Sequence, residues 1–281
     1  MSKTALVVAT AGALVSAGTL SASALTAPAS LDPGIRVVGL TQDGKITSVD
    51  TGRDRASTPK AIRGLSSGDR VVGIDYRPAV DKLWGVALTP AKTLKVFKIS
   101  AATGRTYSRS FLRDADGDKI TSGASSYGVD FNPTVDRMRI VSSSGENYRV
   151  NVATGETTVD GRLKLAAGSG TPRVVSAAYA NSIKGATETA LYDLEITSNR
   201  IHTQAPPNDG TLNAGARLAR DIRATTAFDI ATVGGRDTAL VSNTSRGQTK
   251  IYRVNLDRGT VTGTSSIADR AIVDLAAPTG R

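Results

Sequence analysis

The chain has 281 residues, of which 40% are hydrophobic and 21% charged, so it is long enough to bury a sizeable core. It has no cysteine and a single histidine, which excludes disulfides, thiol catalysis, thiolate metal sites and multi-histidine zinc sites. The formal net charge of +10 favours anionic partners, although basic residues can also simply keep a surface solvated. No basic run is interleaved with aromatic residues, so specific nucleic-acid recognition is not predicted.

The N-terminal residues 1–24 have the pattern of a signal peptide. Lys3 supplies the positive start, residues 5–20 are apolar, and Ala22-Ser23-Ala24 gives a small-x-small cleavage site. A membrane-spanning helix is the alternative, but the segment is rich in Ala, Gly, Ser and Thr rather than strongly apolar. We therefore expect a secreted protein, released or associated with the cell envelope, with no transmembrane segment in the mature chain. A short linker at residues 25–33 then leads to a single domain at residues 34–281.

A strand-like segment that ends in a glycine turn recurs about every 50 residues, which is the spacing of a repeated four-stranded unit. Glycine suits these turns because a short hairpin often needs a positive φ. The five copies occupy residues 45–52, 96–104, 148–155, 201–210 and 251–259.

From the second unit onward, a second segment precedes each of these turn segments. Its run of apolar residues is typical of a strand buried on both faces. A further strand follows each copy. The copies of this first strand occupy residues 71–78, 127–133, 174–181 and 226–230, and the following strands occupy residues 82–88, 137–143, 189–196 and 238–243.

The two ends of the domain complement each other. The N-terminal unit begins at Arg36 and lacks a first strand, while residues 271–275 form an orphan copy of one. Pairing the two would close a ring and hide the sheet edges. The sequence therefore predicts an all-β fold, a five-bladed β-propeller closed by pairing of the C-terminal strand with the N-terminal blade. An open β-solenoid is the alternative, but it leaves the complementary ends unexplained.

Several motifs in this order resemble the bacterial family catalogued as domain of unknown function 4394. They are Gly128 to Arg137, Ala177-Ala178-Tyr179, Leu191-Tyr192-Asp193 and Gln204 to Leu212. The resemblance extends from about Val37 to Leu275 and implies an exported, propeller-like domain with no assigned activity. It carries over no catalytic residue. The acidic segment from Asp114 to Asp118 departs from the family pattern.

Four aspartates occupy one equivalent position on the first strand, where the remaining unit has Ala178. Because this strand lines the channel of a propeller, the carboxylates could converge near the axis, raise one another's pKa or bind Ca²⁺. The alternative is that each carboxylate accepts backbone N–H bonds within its own blade. These candidate binding residues are Asp75, Asp130, Asp229 and Asp274.

Asp114, Asp116 and Asp118 are candidate metal ligands in a loop that superficially resembles a calcium loop. An EF-hand loop needs Gly at its sixth position and Glu at its twelfth, whereas Gly117 is fourth and Ser125 is twelfth. The segment is therefore interpreted first as a solvated turn between blades, with a loosely held Ca²⁺ as the alternative.

His202 and Trp84 are the remaining candidates for chemistry. His202 suggests a Ser-His-Asp triad, but Phe97, Tyr148 and Tyr252 occupy the same slot in other units, so we predict a packing role. Trp84 could face a sugar, although an isolated Trp is more often part of a core.

These observations leave three hypotheses for function. The first is a secreted binding or scaffold propeller whose ligand is an anionic envelope polymer or glycan. The second is an extracellular hydrolase or lyase that uses channel-mouth carboxylates, with calcium as an optional cofactor. The third is a structural wall protein retained by its positive charge. We expect a monomer in each case, and no cofactor beyond calcium.

Overall fold

The computed structural model describes residues 34–267 and 270–279, and the predicted signal peptide (1–24) and linker (25–33) lie outside the described residues. The regular secondary structure of the described residues is almost entirely β-strand. Its strands are β1 Arg36–Thr41, β2 Lys45–Asp50, β3 Arg55–Ala56, β4 Lys60–Ala61, β5 Arg70–Arg77, β6 Lys82–Leu88, β7 Leu94–Ile99, β8 Thr106–Phe111, β9 Tyr127–Asn132, β10 Arg137–Ser142, β11 Asn147–Val150, β12 Thr157–Val159, β13 Lys164–Leu165, β14 Val174–Tyr179, β15 Leu191–Glu195, β16 Arg200–Gln204, β17 Thr211–Arg217, β18 Phe228–Val233, β19 Arg236–Ser245, β20 Gln248–Val254, β21 Val261–Ile267 and β22 Ile272–Ala276. A 3₁₀ turn at Pro207–Asp209 joins β16 to β17.

The strands form five sheets, which are the blades. Blade I contains β22, β1, β2 and β3, with β4 also paired to β2, while blade II contains β5 to β8 and blade III contains β9 to β12. Blade IV contains β14 to β17, with β13 added in parallel to β17, and blade V contains β18 to β21.

The innermost strands of the blades form a closed ring. Strand β22 contacts β5, β5 contacts β9, β9 contacts β14, β14 contacts β18, and β18 contacts β22. The predicted five-bladed β-propeller is therefore confirmed, and the open solenoid is wrong.

The C-terminal strand completes the N-terminal blade, as the complementary ends predicted. Strand β22 pairs antiparallel with β1, with Gly39 opposite Leu275 and Leu40 opposite Asp274. Gly39 is needed here for space, because a Cβ at this position would lie 2.9 Å from Cδ1 of Ile272. The two ends of the domain thus pack against each other at side-chain level.

The repeated turn glycines have a second role that the repeat pattern did not reveal. Gly104, Gly155 and Gly259 all have positive φ, between 66° and 85°, as expected for hairpin turns. In each case an added Cβ would also lie 2.0–2.2 Å from a backbone carbonyl oxygen of the preceding blade. Glycine at these turns therefore lets neighbouring blades approach backbone to backbone.

Four of the five blade interfaces are filled by apolar clusters. These clusters lie between blades I and II, II and III, IV and V, and V and I, and Trp84 is buried in the second of them. Between blades III and IV the apolar cluster is smaller, and a buried polar network lies in the same interface. Trp84 is thus a core residue and not an exposed sugar platform.

Candidate functional site

The four recurrent aspartates lie on the inner strands β5, β9, β18 and β22, around the axis of the ring. Their exposed fractions are only 2–5%, so they are enclosed by the channel wall and not displayed at its mouth. The ring closure brings together residues that are up to 199 positions apart in the sequence, Asp75 and Asp274. Their convergence near the axis was predicted from the repeat alone.

Backbone amides account for most of the hydrogen bonds of these carboxylates. One oxygen accepts the amide that follows the aspartate in its own strand: Tyr76 N to Asp75 Oδ1 (2.6 Å), Ile230 N to Asp229 Oδ1 (2.6 Å) and Leu275 N to Asp274 Oδ1 (3.0 Å). The other oxygen accepts an amide of the next blade: Ile74 N to Asp274 Oδ2 (2.7 Å), Phe131 N to Asp75 Oδ2 (2.8 Å) and Ala277 N to Asp229 Oδ2 (2.5 Å).

Asp130 differs from the other three. It accepts the amide of Tyr179 in blade IV, but its Oδ1 is buried without a hydrogen-bond partner. The amide that would serve Oδ1, that of Phe131, is already bonded to Asp75. The interpretation that each aspartate accepts backbone amides within its own blade holds for Asp75, Asp229 and Asp274. It is incomplete, because all four aspartates also bridge to the following blade.

Three of these side chains form a compact carboxylate cluster. One carboxylate oxygen from each of Asp75, Asp130 and Asp229 lies within 4.8 Å of the other two. Burial raises the pKa of Asp75 and Asp130 well above the usual range, and the charges of the neighbouring aspartates raise both further. Burial likewise raises the pKa of Asp274 well above the usual range and that of Asp229 to about 7. The cluster therefore favours either bound protons or a bound cation.

The acidic loop at Asp114, Asp116 and Asp118 has a different arrangement. Oδ1 of Asp114 accepts the amides of Asp116 (3.1 Å) and Asp118 (2.9 Å), which makes the segment a local turn capped by its first residue. Asp116 and Asp118 are exposed. The only group of potential metal ligands found among the described residues is the axial cluster, so the loop does not gather its three carboxylates around one point.

His202 lies in the predicted packing slot, opposite Asp193 of β15. Burial lowers the pKa of His202, its Nδ1 has no hydrogen-bond partner, and its Nε2 lies 3.2 Å from Oγ of Ser198. That hydroxyl also donates to Glu195 at 2.7 Å, so the serine stands between the carboxylate and the imidazole. In a catalytic triad the imidazole holds the middle position, and this arrangement does not provide one.

Asp193 is a site residue that the repeat analysis missed. In blades II, III and V its place is taken by Gly85, Ile140 and Val241, each opposite an aromatic residue. Asp193 is fully buried, neither of its oxygens has a hydrogen-bond partner, and burial raises its pKa to about 8 despite the nearby Arg139. It belongs to the Leu191-Tyr192-Asp193 motif, which was the one available signal.

Arg139 organises the polar interface between blades III and IV. The side chain is 1% exposed and is among the largest fully buried side chains of the described residues. The network contains Tyr179 from the Ala177-Ala178-Tyr179 motif and Gln204 and Asn208 from the Gln204 to Leu212 motif. Two of the motifs on which the resemblance was based therefore meet here. Arg139 donates to Tyr179 Oη (3.3 Å), Asn147 Oδ1 (2.8 Å), Asp160 Oδ2 (2.5 Å) and Asn208 Oδ1 (2.9 Å).

A basic cleft of about 880 Å³ opens at the carboxyl ends of inner strands β22, β5 and β18. Three exposed arginines, Arg36, Arg53 and Arg55, line it together with one carboxylate, that of Asp50. Asp50 pairs with Arg53 at 2.9 Å and with Arg36 at 3.5 Å, so the cleft keeps an excess of positive charge. Its floor is apolar and includes Tyr76 and Pro278.

Several solved structures are similar to this chain at low sequence identity. A protein of unknown function from Bacteroides thetaiotaomicron has a TM-score of 0.51 at 12% identity, covering 89% of this chain and 63% of that one. A protein of unknown function from Bacteroides caccae (TM-score 0.43, 14% identity) covers 83% and 72%, and the glutaminyl cyclase of Myxococcus xanthus (TM-score 0.45, 8% identity) covers 71% and 77%. The likeness to the Bacteroides thetaiotaomicron protein shows the fold alone. No curated protein matches the sequence.

Among the described residues, no helix has the length and apolar character needed to cross a membrane. The family described as Domain of unknown function (DUF4394) matches residues 34–276, which is nearly the whole propeller. That span contains all four motifs on which the resemblance was based. It also contains the five equivalent positions around the axis, which we call the axial ring: Asp75, Asp130, Ala178, Asp229 and Asp274. The chain belongs to the DUF4394 family.

Proposed function

We propose that this protein is an exported binding or scaffold propeller that holds an anionic polymer or glycan in its basic cleft. The observation that carries the proposal is the excess of arginine in that cleft, with Arg36, Arg53 and Arg55 facing a single carboxylate. Concave sites that combine an apolar floor with a few polar groups are typical ligand sites. A carboxylated, sulfated or phosphorylated polymer fits both the charge and the apolar floor.

The burial of the axial aspartates favours binding over hydrolysis or lysis. A general acid or base must come within hydrogen-bond reach of its substrate. Asp75, Asp229 and Asp274 are buried and use both carboxylate oxygens to accept backbone amides. The hydrolase or lyase hypothesis needs at least two accessible carboxylates in the channel, and these side chains do not support it.

The test is binding of the purified protein to fluorescent dextran sulfate and polygalacturonate, with neutral dextran as the control polymer. The double variant Arg53→Gln/Arg55→Gln removes two cleft charges, and Lys164→Gln/Lys250→Gln removes two exposed charges elsewhere. Because exposed ion pairs contribute about 0.2–1 kcal/mol each, we expect the cleft variant to bind roughly 2- to 30-fold more weakly. Raising NaCl from about 50 to about 500 mM should weaken wild-type binding as well.

The control variant has the same net charge as the cleft variant, so it separates a site from general attraction. Equal losses in the two variants would refute a site in the cleft and leave the charge-retained wall protein as the explanation. Export is tested separately by N-terminal sequencing of the protein recovered from the medium or envelope. We expect it to begin after Ala24, and a protein retained inside the cell with Met1 intact would refute export.

A further inference from the structure

The axial carboxylate cluster of Asp75, Asp130 and Asp229 is left without a role by the proposed function. The three side chains come from blades II, III and V, and one oxygen of each lies within 4.8 Å of the others. They are 2–4% exposed. The neighbouring charges that act on Asp75 and Asp130 are those of other aspartates, which repel them. Burying three carboxylates in one place costs free energy unless protons or a cation neutralise their charge.

A second, independent feature points to a ligand. Oδ1 of Asp130 is buried and has no hydrogen-bond donor, although its own side chain is part of the cluster. The amide that would satisfy it, that of Phe131, is bonded to Asp75 instead. Native proteins leave few buried polar atoms unsatisfied, and a bound water or ion is one of the common explanations for those that remain. The unpaired atom is an acceptor, so the bound group must be a donor or a cation.

We propose that Asp75, Asp130 and Asp229 bind one divalent cation, Ca²⁺, on the axis of the propeller. The available ligands are hard oxygen atoms, which calcium binds at 2.3–2.6 Å in flexible geometry. An ion at that distance bridges oxygen pairs up to roughly 4.6–5.2 Å apart, and carboxylate oxygens within 4.8 Å of one another are compatible with this reach. Mg²⁺ demands near-ideal octahedral geometry and usually keeps several waters, so a site with three buried carboxylates suits the flexible coordination of Ca²⁺ better.

The amide bonds already present do not prevent coordination. A carboxylate oxygen has two lone pairs, so an oxygen that accepts an N–H bond can still bind a metal ion. Calcium takes six to eight oxygen ligands, and the three carboxylates leave room for backbone carbonyl or water oxygens. The ion would link three blades, so its role would be to stabilise the closed ring. This inference is independent of the basic cleft and of any polymer bound there.

The test compares the full chain with two variants in which one Asp becomes Asn, after dialysis against a chelator. Asp130→Asn removes the carboxylate with the unpaired oxygen, whereas Asp114→Asn removes one charge from the acidic loop and keeps an acceptor for its turn. Titration calorimetry with CaCl₂ and with MgCl₂ is combined with thermal unfolding. At about 100-fold excess over its Kd, Ca²⁺ should raise the Tm of wild type and Asp114→Asn by about 5–10 °C and leave Asp130→Asn unchanged.

Three results would overturn the proposal: no heat and no Tm shift with Ca²⁺ in the wild type, an equal response in Asp130→Asn, or a response lost only in Asp114→Asn. A larger Tm shift with Mg²⁺ than with Ca²⁺ would refute the choice of ion. If Asp130→Asn does not fold, crystals of the wild type grown with CaCl₂ give the answer. An anomalous peak within about 2.6 Å of all three carboxylates supports the site, and its absence at saturating Ca²⁺ refutes it.

Discussion

Asp193 gives the sharpest prediction about stability, because it is a buried carboxyl group without a hydrogen-bond partner. Burial raises its pKa to about 8, against 3.8 for an unperturbed Asp, and the opposing effect of the Arg139 charge does not offset the burial. His202, opposite Asp193, has a pKa lowered by burial, so near neutral pH its ring is uncharged. Asp193 is therefore protonated in the folded protein at neutral pH.

The pH dependence follows from proton linkage. Between about pH 4 and about pH 8 the folded protein holds a proton that the unfolded chain has released, so the free energy of unfolding falls as the pH rises. The slope approaches about 1.4 kcal/mol per pH unit for one group. Asp193→Asn keeps the shape of the protonated side chain and cannot ionise. From pH 5 to pH 7 the variant should therefore lose about 3 kcal/mol less stability than the wild type.

The assay is urea unfolding at several pH values between 5 and 8, followed by the fluorescence of Trp84, the single tryptophan, which is buried. Asp116→Asn is the matched control, because Asp116 is exposed and the same charge is removed. We expect the control to follow the wild-type curve. Parallel curves for wild type and Asp193→Asn over this range would show that Asp193 ionises normally in the folded protein, and the argument from its burial would then fail.

Two further predictions concern the ring closure and the polar interface. Gly39→Ala should destabilise the protein by about 1–3 kcal/mol, since its Cβ would meet Cδ1 of Ile272 at 2.9 Å. Ile272→Val removes Cδ1, the nearest of these contacts, and should relieve part of the clash. The double variant should then lose at least about 0.5 kcal/mol less than the sum of the single changes in urea unfolding, and strict additivity would contradict the contact. Asp160→Asn should cost about 3–5 kcal/mol because it leaves buried Arg139 without its carboxylate. Asp136→Asn, on a more exposed ion pair and with a side chain that tolerates the positive φ of 53° at this position, should cost about 1 kcal/mol or less. Equal losses in the two variants would contradict the importance of burial.

The fold was predictable because the spacing of a repeated sequence unit reveals the size and number of the structural units. Five glycine turns about 50 residues apart predicted the number of blades, and the missing strand before Arg36 predicted the closure by β22. The same periodicity aligned the four aspartates and placed them near the axis. What it could not provide was the hydrogen-bond pattern across blades, because a pattern within one repeat contains no information on which amide of the next blade lies nearby.

Blade IV is where prediction from the repeat failed, and the reason is physical. Asp193 and His202 replace an apolar and aromatic pair, and neither residue resembles its counterparts in the other units. Arg139 and Asn208 meet only after blades III and IV pack, with 69 positions between them in the sequence. A repeat alignment treats such residues as exceptions, although in the structure Arg139 and Asn208 belong to a buried polar network between blades III and IV.

The hydrogen bonds also explain why the fifth axial position is Ala178 and not another aspartate. An inner strand faces the channel with an unpaired edge, so its amides need acceptors from outside the sheet. Asp75 accepts a hydrogen bond from the amide of Phe131, the residue after Asp130. Asp130 accepts one from the amide of Tyr179, the residue after Ala178. A carboxylate at position 178 would therefore lack the amide that follows it, that of Tyr179, just as Asp130 lacks the amide of Phe131. An aspartate there would add a second buried oxygen without a donor, beside the one that Asp130 already has. Alanine avoids that cost, which leaves the unpaired oxygen of Asp130 as the distinctive feature of the axial ring.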